Sequence, residues 1–307
     1  MPLRVAIPDM ISPSYFPAIA AVELGCFADE GLEATIELVF PVTRAFELLR
    51  DGEVDYVGGA AHAPLYVFDA WEGCRLLCAL SRHMYWFLVV RADLDSARGD
   101  LAAIAGLRIG AAPGPVDGLR RMLAEVGMDP DRDVAIQPVP GSAGGGVSFG
   151  VTAARALEDG LLDGFWANGM GAEVAVQRGT GKVLLDARRG DGPPGAVDYT
   201  FAALAATAHR VEREPAQAAA AVRAITAAQR ALRADPSLAT EAARPHFGDF
   251  ETGLIAGLIA RDAPFYDPEI DPGTVDALNA FARDLGILGD EPVPYDRVVW
   301  SGEGSGA

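Results

Sequence analysis

Residues 48–60 read LLRDGEVDYVGGA, and the way this stretch folds decides the architecture around it. TRAFELLRDG (43–52) predicts a helix closed by its terminal glycine, because Gly tolerates the left-handed conformation that ends helices. VDYVGGA (54–60) then predicts a strand. Working outward, LRVAIPD (3–9) reads as a strand, SPSYFPAIAAVELG (12–25) as a loop entering a helix, and EATIELVF (33–40) as an alternating strand. On the other side APLYVFDAWEG (63–73) reads as a helix and CRLLCAL (74–80) as a buried strand. Strand–helix alternation of this kind predicts an α/β fold with a parallel, doubly wound sheet.

The pattern restarts further on. WFLVVRAD (86–93) reads as a crossing strand, ARGDLAAIAG as a connector, and LRIGAAPG (107–114) as the first strand of a second unit. PVDGLRRMLAEVG (115–127) predicts a helix with Pro115 at its first position, where the missing N–H costs nothing. VAIQPVP, LDGFWAN (162–168) and VLLDAR (183–188) read as strands, ARALEDG as a helix end, and YTFAALAATAHR (199–210) as a long returning strand. From Pro215 onward the pattern is helical. The expected organisation is lobe one over 1–90, lobe two over 91–200, a return to lobe one with C-terminal helices over 201–300, and a flexible tail over 301–307. In such sheets ligands meet the carboxyl ends of the strands, so contacts are expected at a cleft between the lobes.

Bulk properties narrow the function. The chain has 307 residues, 50% hydrophobic, and a formal net charge of −18, a field that repels nucleic-acid phosphates. No apolar run approaches the roughly 20 residues of a membrane span. The start, MPLRVAIPDM, lacks the features of a secretory signal; the expectation is a cytoplasmic protein as the sequence stands, periplasmic or extracellular if a signal segment was removed. Lys182 is the one lysine, which restricts Schiff-base chemistry, since arginine cannot replace the amine. Cys26, Cys74 and Cys78 read as small buried hydrophobes.

Five segments carry a family resemblance. GCFADEGLEATIEL (25–38) matches a helix exit into a second strand; LLRDGEVDYVGGA has the L-x-x-G-x-V-D turn; LAAIAGLRIGAAPG (101–114) matches the approach to lobe two. ALEDGLLDGFW (156–166) repeats the turn motif, and REPAQAAAAVRAITAAQRAL (213–232) matches a C-terminal helix. Over roughly residues 3–290 the chain resembles the NMT1/THI5-like and nitrate/sulfonate/taurine branch of ABC-transporter substrate-binding proteins, which have the two-lobed type 2 periplasmic-binding-protein fold. The resemblance implies a small-molecule ligand, an ABC permease as partner and no cofactor. A minority of such proteins are soluble enzymes, among them pyrimidine synthases, decarboxylases and desulfinases.

The resemblance also implies where contacts fall. The loop after the first strand holds Asp9, Met10, Ser12, Ser14, Tyr15 and Phe16; Tyr15 suits stacking on a heterocycle or simply seats the following helix. In SRHMYW (81–86), Arg82 and His83 suit an anion, and Tyr85 or Trp86 a pocket wall. The helix entering at PGPVDGL is the natural anion site of lobe two. Here, however, Pro113 and Pro115 remove donors and Asp117 opposes negative charge. With Asp9 and Asp198 also near the expected cleft, the reading favours a neutral or cationic aromatic or heterocyclic ligand, such as a pyrimidine-like compound. Trp166 and Asn168 offer a stacking face and an amide, with a core tryptophan the alternative; Tyr199 is a candidate near the hinge. The glycine-rich PGSAGGGVSFG (140–150) lacks a Walker ending and reads as a mobile cleft loop.

His62 sits where pyrimidine synthases of this fold consume a histidine, but no lysine accompanies it and no run of cysteines occurs. Gly58 and Gly59 let a ligand approach the backbone, and His62 reads as a ligand contact or a helix cap. Acidic neighbours argue against Cys26 as a nucleophile. No catalytic or metal-ligating set emerges. The expectation is a binding protein, with a cytoplasmic enzyme (decarboxylase-like or another small-molecule lyase) and a ligand sensor as alternatives.

Overall fold

The computed structural model describes residues 2–142 and 148–302. Residues 143–147 of the glycine-rich segment and 303–307 of the tail lie outside them, and with them the expectations of a cleft loop and a flexible end. The chain forms two compact units, residues 1–82 with 200–307, and residues 83–199.

The first unit begins with β1 (Leu3–Ile7), α1 (Phe16–Glu23), α2 (Cys26–Asp29), β2 (Ala34–Leu38), α3 (Val42–Arg50), β3 (Tyr56–Ala60) and β4 (Cys74–Ser81). The second unit comprises β5 (Phe87–Arg91), β6 (Arg108–Ala111), α4 (Val116–Glu125), β7 (Ala135–Gln137), α5 (Phe149–Glu158), β8 (Gly164–Ala167), α6 (Gly169–Gln177) and β9 (Gly181–Asp186). The chain returns to the first unit with β10 (Ala202–Thr207), α7 (Ala208–Arg213), α8 (Pro215–Ala234), α9 (Leu238–Ala243), α10 (Asp249–Asp262), α11 (Pro272–Asp284) and α12 (Tyr295–Val298).

The sheet orders are β2-β1-β3-β10-β4 and β7-β6-β8-β5-β9. They are the same order built twice, each with one strand, β10 or β5, antiparallel to both neighbours. Those are the strands adjacent to the crossings, so the sheets are mixed rather than wholly parallel. The crossing expected near 90 falls at 82/83, because Phe87–Arg91 pairs with β8 and β9 in the second sheet.

The stretch at 48–60 explains the duplication. Gly52 (φ 74°) and Gly160 (φ 68°) end α3 and α5 in the left-handed region. The amide N–H groups of Glu53 and Leu161 return to the carbonyls of Leu48 and Ala156 at 2.8 and 2.9 Å, closing the last carbonyls of each helix. Three residues after each glycine comes an aspartate. Asp55 donates its N–H to the Arg4 carbonyl (2.9 Å) and accepts the Arg4 N–H on its carboxylate (2.7 Å). Asp163 makes the same pair with Arg108, at 2.9 and 3.0 Å. The L-x-x-G-x-x-D turn thus both stops a helix and sets the register of the next strand against its neighbour.

Two segments differ from expectation. Residues 63–73 form only a 3-10 turn over Ala63–Tyr66; Ala70 (φ 48°) and Gly73 (φ 86°) take conformations no helix continues. The strand expected over 199–210 stops at Thr207, whose hydroxyl accepts the Arg210 N–H and starts α7. Alanine-rich α8 packs on α1 and α2, and buried Gln229 donates to the Ala79 and Leu80 carbonyls of β4, both at 2.9 Å.

Candidate functional site

In the first unit, the row Ala60, Ala202, Ser81 aligns the ends of β3, β10 and β4. The loop after β1 emerges at the same sheet edge. It folds on itself: Asp9 accepts the Ile11 N–H on Oδ1 at 3.2 Å, the Tyr15 N–H reaches the Ser12 carbonyl at 3.1 Å, and the Tyr266 hydroxyl donates to the Pro13 carbonyl at 2.6 Å. Ser14 and Tyr15 are buried, and Met10 is half-buried. Tyr15 occupies the N-cap position of α1. The hydroxyls of Ser12 and Ser81 are also buried, and among the described residues neither has a hydrogen-bond partner.

His62 is fully buried after β3. Its Nδ1 lies 3.0 Å from Thr200 Oγ1, and its ring meets Phe281 edge-on at 5.3 Å and Tyr66 at 6.4 Å. It holds the cap position of the 3-10 turn, but its side chain makes no capping bond. The helix-cap alternative therefore falls away in favour of a tie to β10 through Thr200, a partner 138 residues distant.

Gly58 and Gly59 answer to core packing. A Cβ on Gly58 would lie 3.1 Å from a Leu80 methyl, and one on Gly59 would lie 2.9 Å from Val42 and 3.2 Å from Phe46. The space where a Cβ would stand on either glycine is taken by the protein's own side chains. Arg82 is likewise committed: its guanidinium reaches Asp267 and Asp271, each at 3.4 Å. Asp271 caps α11 through the Thr274 N–H (2.9 Å), and that bond, aided by Arg82, holds its carboxyl below the usual range.

In the second unit, Phe87 stands opposite both Ala167 and Asp186. That register gathers the residues before β5 and those just beyond β8 and β9 at one sheet edge. Tyr85 and Trp86 are both buried and lie 4.5 Å apart between ring centroids with their planes tilted 45°, and Trp86 lies 6.2 Å from Trp166. Trp166 is fully buried and its indole N–H donates to the Pro115 carbonyl at 2.7 Å, fixing the start of α4. It is a core tryptophan. Pro115 sits at the cap position of α4 rather than in its first turn, and Asp117 occupies that first turn, where an acid complements the helix dipole. Asn168 caps α6, its Oδ1 accepting the Met170 and Gly171 N–H groups at 3.0 and 3.2 Å. His83 (φ 63°) pairs through Nδ1 with Asp198 at 2.8 Å, and the Met84 N–H reaches the Val197 carbonyl at 2.8 Å. These bonds tie the first and last segments of this unit together. Tyr199 is buried at its end.

One residue at this edge escaped the sequence reading. Arg188, just beyond β9, is only 6% exposed, and its guanidinium carbon stands 5.9 Å from the centre of the Tyr85 ring. The signal available was a charged residue following a strand end in VLLDARR; nothing local separated it from exposed Arg189.

The reactive groups are quiet. Burial pushes the Cys74 and Cys78 thiols up to about 12. Burial and then Asp29 raise the Cys26 thiol as well, which is the reverse of nucleophilic activation. The Lys182 amine is held by the carbonyls of Leu94 and Ser96. Among the described residues no helix is long and apolar enough to cross a membrane.

An NMT1-like family model matches residues 103–245. No curated protein matches the sequence. Among solved structures, one from Bordetella bronchiseptica RB50 is 19% identical, covers 97% of this chain and 93% of its own, and has a TM-score of 0.74. The alkanesulfonate-binding protein SsuA from Xanthomonas axonopodis pv. citri, bound to MOPS, is 14% identical with a TM-score of 0.72, covering 96% and 97%. The desulfurization enzyme DszB is 16% identical with a TM-score of 0.63, covering 97% and 96%. The resemblance read from the sequence is borne out by the family model and by the fold, that of the periplasmic-binding-protein-like structures.

Proposed function

We propose that this chain is a solute-binding protein that holds a small aromatic or heterocyclic molecule and serves ABC-type import. The observation that carries the reading is the buried, tilted Tyr85–Trp86 ring pair at the strand-end edge of the second sheet, in a fold shared with proteins named for binding alkanesulfonate and nitrate. The two rings are tilted 45° to one another and buried, and aromatic rings favour such tilted, edge-to-face partners.

The fold also hosts an enzyme, so binding and turnover need separate readouts. Isothermal titration calorimetry against pyrimidines, aromatic acids and sulfonates, with chromatography of each bound compound after prolonged incubation, separates them. Saturable binding with the compound recovered intact supports the proposal. Steady conversion of any bound compound overturns it in favour of an enzyme.

A further inference from the structure

We propose a second binding site, on the first unit: a pocket at the outer edge of β4 that takes an organic ammonium ion with an apolar body. The proposal is independent of the solute reading above, and three observations carry it.

First, β4 is the last strand of its sheet, and two separate segments cover its open edge. Val299 bridges Leu76 and the Trp300 N–H donates to the Leu76 carbonyl at 2.9 Å, while the Ala79 N–H donates to the Pro268 carbonyl at 3.0 Å. Native folds cover such edges because unpaired strand groups invite other chains. Here the cover parts between the two ties. The gap is a pocket of about 600 Å³ walled by Leu77, Val222 of α8, Ile270, Tyr295 and Trp300, a size usual for small-molecule sites. All of these residues belong to the first unit.

Second, the aromatic rings of the wall are held in place. A Cβ on Gly302 would lie 2.8 Å from the Trp300 ring, so the chain turns tightly against the indole. The Tyr295 hydroxyl donates to the Ile270 carbonyl at 2.5 Å. Indole is the best of the side-chain rings at attracting a cation, and a ring already fixed loses little freedom when it does so.

Third, negative charge is in excess. Two guanidiniums meet four carboxylates on and beside the lining: Arg223 lies 2.6 Å from Glu30, Arg82 lies 3.4 Å from both Asp267 and Asp271, and Glu269 stands at the rim. Among the described residues the exposed Glu269 carboxylate has no hydrogen bond or ion pair. Burial, and then the charges of Asp271 and Glu269, push the Tyr295 phenol up, so both acids are felt at the wall. The chain's formal net charge of −18 adds to the attraction at longer range. An ammonium group beside Glu269 with its apolar body against Trp300 satisfies the acids and the walls together.

The test uses probes that share a ring and differ in charge: benzyltrimethylammonium and benzylammonium against benzyl alcohol. Calorimetry on the full chain at pH 7 and low salt is expected to show each cation binding about 3- to 30-fold tighter than the alcohol. Trp300→Leu is expected to bring the three probes level, and Trp300→Phe to keep part of the preference. Glu269→Gln is expected to weaken the cations about 2- to 5-fold and leave the alcohol unchanged; it alters an exposed side chain, so it carries the test should the Trp300 variants not fold by circular dichroism. Absence of cation binding, equal binding of the alcohol in the wild type, or cation binding untouched by the variants overturns the proposal. A dimer in sedimentation velocity that Trp300→Leu dissolves assigns the pocket to a second copy of the chain and overturns it too. Each of these results leaves the solute-binding reading standing.

Discussion

Asp163→Asn tests the turn on which the duplicated architecture depends. Asp163 accepts the Arg108 N–H and two bonds from the Arg108 guanidinium, at 2.8 and 3.0 Å. Hydrogen bonds from Arg108, foremost its side chain, hold the carboxyl well below its ordinary 3.8, at about 2. That gap of about 1.8 in pKa corresponds to about 2.4 kcal/mol at full strength. The side chains are 21% and 45% exposed, so water screens the pair and about 1 kcal/mol is the realistic share. Asparagine keeps an acceptor for the backbone N–H and removes the charge. A carboxyl whose folded pKa is depressed adds stability that is complete above its unfolded pKa near 4, and that is lost as pH falls through about 2. Urea denaturation of wild type and Asp163→Asn at pH 7 is therefore expected to differ by about 1 kcal/mol, and the difference to fall by about half at pH 3. A difference that is constant with pH, or grows on acidification, refutes the assignment of that stability to the ionised pair.

Other outcomes follow from packing. Gly59→Ala drives a methyl to 2.9 Å from Val42 and is expected to cost about 1–3 kcal/mol in urea denaturation. His62→Ala, fully buried beside Phe281, is expected to lose about 2–4 kcal/mol by the same assay, as large-to-small core changes do; unchanged stability with weakened ligand binding would make it a contact instead. Gln229→Leu strips donors from two β4 carbonyls and is expected to cost about 1–3 kcal/mol, read as a lower Tm. Thiol titration with Ellman's reagent is expected to leave Cys74 and Cys78 unreacted in the native protein and to modify both in denaturant, given their burial and thiol pKa near 12.

What the sequence made legible was local. The repeated L-x-x-G-x-x-D stops a helix and bonds the neighbouring strand within a few residues, so Gly52–Asp55 and Gly160–Asp163 announced two like units before any tertiary contact was known. Antiparallel β5 and β10 were not legible, because strand direction within a sheet depends on where the crossing lands. The 63–73 segment carried a helical pattern, yet positive φ at Ala70 and Gly73 made it a turn. The candidate site suffered most from distance in sequence. Arg82 lies 185 and 189 residues from its acids and His83 lies 115 from its own, so neither ion pair could be read from local sequence. Arg188 and Tyr85 meet only through the register of β5 with β9, which no local pattern encodes.

A co-crystal structure with the tightest binder of the aromatic panel tests the central claim most directly. The account predicts an intact ligand with its ring against Tyr85 and Trp86. A ligand seated elsewhere, or a reaction product in its place, would contradict it.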